Sequence, residues 1–100
     1  MGEKRPPRSD DRRVARRAIV RGRVQGVFFR DSTRAEAQRQ GVAGWVANRR
    51  DGAVEVHLEG AADAVQLLIH FCSSGPARAR VEALEVTEIA PRGFSSFQVR

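Results

Sequence analysis

Residues 44 to 60 read G-W-V-A-N-R-R-D-G-A-V-E-V-H-L-E-G. Asp51-Gly52 has the chemistry of a tight turn, so the stretch predicts a hairpin of two strands. In the second strand Val54, Val56 and Leu58 alternate with Glu55, His57 and Glu59, the two-residue period of a strand with one buried face.

Working outward from the hairpin, each side supplies one helix and one more strand. Upstream, an apolar run over about 14–22 reads as a strand, and a helix from Arg30 to Gln40 is stopped by Gly41. Downstream, a helix from Ala61 to Ser73 gathers Val65, Leu68 and Phe71 or Cys72 on one face, with Asp63 favourably near its N-terminus. Ser74-Gly75-Pro76 ends it, a strand with Val81, Leu84 and Val86 follows, and a short terminal segment holds Phe94, Phe97 and Val99. The order β-α-β-β-α-β is the split βαβ pattern of an α+β, ferredoxin-like sandwich. Its antiparallel sheet is expected to carry both helices on one face. That fold hosts many functions, so function has to be argued from a site.

The site candidate lies at the first strand-to-helix junction, V-R-G-R-V-Q-G-V-F-F-R over residues 20–30. The first N–H groups of a helix lack partners inside it and sit at the positive end of its dipole. Gly22 and Gly26 can adopt backbone angles that other residues avoid, so the N–H groups of Gln25, Gly26, Val27, Phe28 and Phe29 can converge on one oxyanion. Arg30 adds a planar, permanently charged fork able to hold two oxygens.

Together the two segments resemble the acylphosphatase family. The first matches apolar-x-G-x-V-Q-G-V-x-F-R, and the second matches G-aromatic-V-x-N-x-x-x-G-x-V-x-x-x-x-x-G, at every fixed position and in the same order. The likeness runs from about Val14 to Arg100. It implies hydrolysis of an acyl phosphate to a carboxylate and inorganic phosphate, with no metal and no cofactor. Arg30 stands where the family has its phosphate-binding arginine, and Asn48 where it has the asparagine that orients the attacking water. A monomer acting on a small molecule is expected. The alternative is a ferredoxin-like module that binds phosphate or RNA without significant activity. Two positions depart from the usual pattern: Gln40 stands where an apolar residue often precedes the helix-ending glycine, and Ala53 where some members carry threonine. Carbamoyl phosphate, a glycolytic acyl phosphate and aryl analogues all remain compatible with the sequence.

One hundred residues bound the chain to one small domain. The single cysteine, Cys72, excludes an intramolecular disulfide, and no His, Cys, Asp and Glu cluster has metal-ligand spacing. No apolar stretch reaches a membrane-spanning length, and the charged N-terminus has no apolar segment behind it. A cytoplasmic protein without membrane contact is the expectation. Residues 1–13 are polar and include Pro6 and Pro7, so they are expected to form a disordered basic tail before a domain at 14–100.

The net charge of +6 has the sign of a nucleic-acid binder, but its distribution is more informative. Residues 14–52 carry nine arginines against three acidic residues, and residues 53–100 carry four against six. The positive field gathers on the half that holds both motifs, where it favours the approach of a small dianion. RNA recognition asks for exposed stacking aromatics, whereas this chain has five Phe, one Trp and no Tyr. No nucleic acid partner is expected.

The remaining residues of note receive scaffold roles. The Gln25 side chain is read as a brace of its own loop, and Phe28 and Phe29 as anchors, with Phe28 able to line an entrance. Trp45 is read as a packing residue, Cys72 as a small hydrophobe, and His57 and His70 as surface residues.

Overall fold

The computed structural model describes residues 12–100. Its elements follow the expected order: β1 (Arg13–Arg23), α1 (Phe29–Gln40), β2 (Ala43–Asn48), β3 (Val54–Ala61), α2 (Ala62–Ser74), β4 (Arg80–Ile89) and β5 (Phe97–Val99). Of the segment expected as a tail, residues 1–11 lie outside the described residues. Arg13 belongs to β1, where it pairs with Ala61.

The five strands form one sheet in the order β4-β1-β3-β2-β5. The pairs β1–β3, β1–β4 and β2–β3 are antiparallel. β5 adds a feature absent from the expectation: it runs parallel to β2, with Phe97, Gln98 and Val99 opposite Gly44, Trp45 and Val46. The β1–β4 register shifts between Arg21 and Gly22, where Gly22 has φ 130°.

Both helices cover one face, because their buried residues and the inward residues of the strands form a single core. α1 contributes Phe29 and Ala37, α2 contributes Val65, Leu68 and Cys72, and the sheet contributes Ala18, Val20, Val46, Val54, Val56 and Leu58. The alternation of β3 therefore points as expected, with its valines and leucine toward the helices. Cys72 is fully buried among apolar groups, and that burial pushes its thiol up to about 12, which leaves it inert at neutral pH. At the end of α1 the Gln40 side-chain amide donates to Glu36, one turn earlier, at 3.1 Å.

Among the described residues the opposite face carries no helix, yet it buries Glu59, which is 2% exposed. Its carboxylate accepts from Arg13 Nε (3.2 Å) and Nη2 (3.1 Å), from the Arg92 N–H (2.7 Å) and from the Gly93 N–H (2.8 Å). This latch ties the β4–β5 connection to β3 and so holds β5 beside β2. Burial alone would raise the Glu59 pKa, but the two N–H groups and Arg13 outweigh it and keep the carboxyl below its ordinary 4.5. A depressed carboxyl pKa contributes stability that is complete above the unfolded value and lost as pH falls through the folded one. Glu59→Gln is accordingly expected to cost about 2 kcal/mol at neutral pH. The difference from wild type should shrink as pH drops below about 4.5, as read by denaturant unfolding across that range.

Candidate functional site

The segment joining β1 to α1 is shaped by two left-handed residues. Gly26 has φ 74°, and Phe28 has φ 66° and ψ 23°. Phe28 occupies the N-cap position without any side-chain cap on the helix. Among the described residues, no carbonyl or side-chain oxygen accepts from the N–H groups of Gln25 to Phe29. Five donors of one loop and helix start are thus left for an external acceptor, the situation in which a backbone nest binds an anion.

The loop is held from its C-terminal side. Phe29 is buried and meets Phe71 of α2 with ring centroids 6.4 Å apart. One turn on, the Thr33 hydroxyl donates to the Phe29 carbonyl at 2.7 Å, and the Ser32 N–H donates to the Phe28 carbonyl at 3.0 Å. The expectation for the two phenylalanines therefore divides. Phe29 is the anchor, whereas Phe28 is 66% exposed and is no core residue. The left-handed backbone turns its side chain away from the core that receives its neighbour.

Val24, Gly26, Phe28, Phe29, Arg30, Asp31, Asn48 and Val99 line a cleft of about 340 Å³. Both motifs meet there. Arg30 lies in the first turn of α1, and its Nη1 donates to the Arg100 carbonyl at 3.2 Å. Asn48 is the last residue of β2, exposed, and its side-chain amide has no hydrogen-bond partner among the described residues. β5 closes another side through Val99.

Gln25 has a scaffold role, but it braces the other motif rather than its own loop. Its side-chain amide donates to the carbonyls of Arg49 (2.7 Å) and Ala53 (2.9 Å), the same two residues that close the hairpin turn through the Arg49 N–H to Ala53 carbonyl bond. The loop that carries the free N–H groups is thereby fixed to the turn that follows Asn48. Asp51 stiffens that turn by accepting from the Ala53 N–H at 3.1 Å, from Arg49 and from Arg21. The Ala53 N–H, helped by both guanidiniums and opposed by burial, lowers the Asp51 carboxyl to about 2.

His57 requires a correction. It points outward, as the alternation of β3 demands, but it is 8% exposed. Trp45 on β2 covers it in a stacked contact with centroids 4.1 Å apart, and the Arg100 guanidinium lies 4.6 Å from the Trp45 ring. Burial lowers the His57 pKa, with Glu55 at 3.1 Å acting in the opposite sense. His70 is exposed, as expected. Among the described residues no group of three His, Cys, Asp or Glu is placed to hold a metal, and no helix is long and apolar enough to cross a membrane.

Comparison with known proteins gives a consistent result. The sequence pattern of the family described as Acylphosphatase matches residues 16–99. An acylphosphatase of Rubrobacter xylanophilus is 56% identical over 85 residues, which cover 84% of this chain and 77% of the relative. Among solved structures, an acylphosphatase from Coxiella burnetii superposes with a TM-score of 0.85 at 36% identity, covering 88% of this chain and 93% of its own. One from Bacillus subtilis superposes with 0.84 at 39% identity, covering 87% and 98%. The motif pair, the cleft in which the two motifs meet, and these similarities over most of each partner's length lead to one conclusion: the chain belongs to the acylphosphatase family.

Proposed function

We propose that this protein hydrolyses acyl phosphates to a carboxylate and inorganic phosphate, without a metal, at the cleft between the β1–α1 loop and the end of β2. The observation that carries the reading is the row of N–H groups from Gln25 to Phe29, unpaired within the described residues, together with a cleft that Gly26, Phe28, Phe29, Arg30 and Asn48 line in common.

In this reading the phosphoryl oxygens take the loop N–H groups, and Arg30 supplies two further charge-assisted bonds. These donors are already in place before substrate arrives, so stabilising the charge that develops on the phosphoryl group requires little reorganisation. Asn48 holds a water through its side-chain amide, positioned for attack on phosphorus opposite the acyl oxygen. As the new P–O bond forms, the bond from phosphorus to the acyl oxygen breaks, and the electron pair leaves with the carboxylate. That leaving group has a pKa of roughly 4, so it needs no general acid. Asn48 is neutral and takes no proton, so the proton of the attacking water passes to a phosphoryl oxygen. The protein acts by positioning and electrostatics, and the gathering of positive charge over residues 14–52 favours capture of a dianion.

The test is hydrolysis of benzoyl phosphate in chelator-containing buffer, with spontaneous hydrolysis subtracted. Turnover far above background, inhibited competitively by inorganic phosphate, is the expected result. A folded protein that gives only the background rate would overturn the reading.

A further inference from the structure

The cleft holds more than phosphate donors. Val24, Phe29 and Val99 give it apolar walls, Phe28 stands at its edge, and Asp31 lines it next to Arg30. Two of these side chains are not explained by binding a phosphate.

Phe28 is the only non-glycine residue with positive φ among the described residues, and it is 66% exposed. Bulky side chains avoid this conformation, which glycine or asparagine adopts with less strain. The phosphate cradle uses only the backbone at this position, and the core is anchored by Phe29 instead. An aromatic ring left in solvent beside an anion site offers one thing that a glycine there could not, an apolar surface for the rest of the substrate.

Asp31 brings negative charge to a cleft otherwise suited to anions. It sits in the first turn of α1, is exposed, and has no cation within ion-pair distance among the described residues. Arg30 beside it is engaged with the Arg100 carbonyl rather than with the Asp31 carboxylate. A carboxylate at this position favours neither the phosphoryl group nor any second anionic group on the substrate.

We propose that the enzyme selects acyl phosphates whose acyl group is apolar and uncharged. Phe28 supplies the surface on which the acyl group rests, and Asp31 disfavours acyl groups bearing a carboxylate or a second phosphate. This substrate class rests on the acyl phosphate reading of the same cleft. The phosphoryl group enters the N–H cradle, and the acyl group lies toward the Phe28 ring and Val99.

The experiment compares kcat/KM for benzoyl, acetyl and succinyl phosphate in wild type, Phe28→Asn, Phe28→Leu and Asp31→Asn. Ratios between substrates are the readout, because a general disturbance of the loop moves all three rates together. Phe28→Asn, which tolerates the left-handed backbone, is expected to lower the benzoyl-to-acetyl ratio about tenfold, the low end for loss of an apolar contact in a recognition pocket. Phe28→Leu should restore most of that ratio. Asp31→Asn should raise the succinyl-to-acetyl ratio about threefold in dilute buffer, and less in high salt, as expected for partly screened charges. Equal changes for benzoyl and acetyl phosphate in Phe28→Asn, or an unchanged succinyl-to-acetyl ratio in Asp31→Asn, would overturn the inference. If wild type turns over all three substrates without preference, the selectivity fails and the hydrolysis reading survives. If it turns over none of them, both fail.

Discussion

Arg30→Ala is expected to lower kcat/KM for benzoyl phosphate by about a thousandfold, the scale on which a transition-state arginine contributes to phosphoryl transfer. Competitive inhibition by inorganic phosphate should weaken in parallel, because the guanidinium serves the ground-state dianion as well as the transition state. The fold should tolerate the change. Arg30 is only half-buried, in the first turn of α1, and the side-chain bond it gives up is the one to the Arg100 carbonyl. Thermal unfolding of the variant close to wild type would separate a lost charge from a lost fold. Arg30→Lys should recover little of the activity, since an ammonium cannot reproduce the two parallel bonds of the fork.

Asn48→Ala is expected to behave differently. Its kcat should fall by about 100- to 1,000-fold, the range for removing one oriented polar group at a reacting centre, while inhibition by phosphate changes by no more than about threefold. The reason is geometric. The Asn48 side chain is exposed at the end of β2, and its backbone pairing with Val54 is independent of the amide. On the proposed reading, removing that amide deprives the water of its orientation and leaves the N–H cradle intact. Asn48→Asp, which keeps the shape and adds a negative charge beside the dianion, should impair phosphate binding as well as turnover. Steady-state kinetics with phosphate as inhibitor distinguishes all of these variants. If Asn48→Ala lost kcat and phosphate binding to the same extent, Asn48 would be a binding group and the water-orienting role would be wrong.

The residues differ in how openly the sequence displays their structural role. The alternation of Val54, Val56 and Leu58 with charged neighbours shows the buried face of β3, and Gly41 and Gly75 stop the two helices where expected. Such signals are local, because the chemistry of one residue or one period decides them. The meeting of Arg30 and Asn48 in one cleft was also legible, since each stands in a fixed motif and the hairpin brings the second motif beside the first.

What the sequence concealed depends on contacts between distant segments. Glu59 and His57 both occupy outward positions, yet both are buried, one under the Arg92–Gly93 backbone and the other under Trp45. An alternating pattern tells which side a residue faces and says nothing of what later covers that side. β5 is only three residues long, and its parallel pairing with β2 is set by the docking of Phe97 in the core and by the Glu59 latch upstream. Phe28 was concealed for another reason. Positive φ is ordinarily announced by glycine or asparagine, so an aromatic residue there gives no local sign; the sequence allowed Phe28 an entrance position, but its left-handed backbone became visible only in three dimensions.

The proposed hydrolysis requires the Gln25–Phe29 amides and Arg30 to form one phosphate site. The most direct test is titration of the 15N-labelled protein with inorganic phosphate, following the backbone amide resonances, with Arg30→Ala and Asn48→Ala beside wild type. Saturable shifts concentrated on residues 25–30 are expected in wild type, with nearly the same isotherm in Asn48→Ala and loss of saturation in Arg30→Ala. Shifts centred on another surface, or no saturable response in a folded wild-type protein, would contradict it.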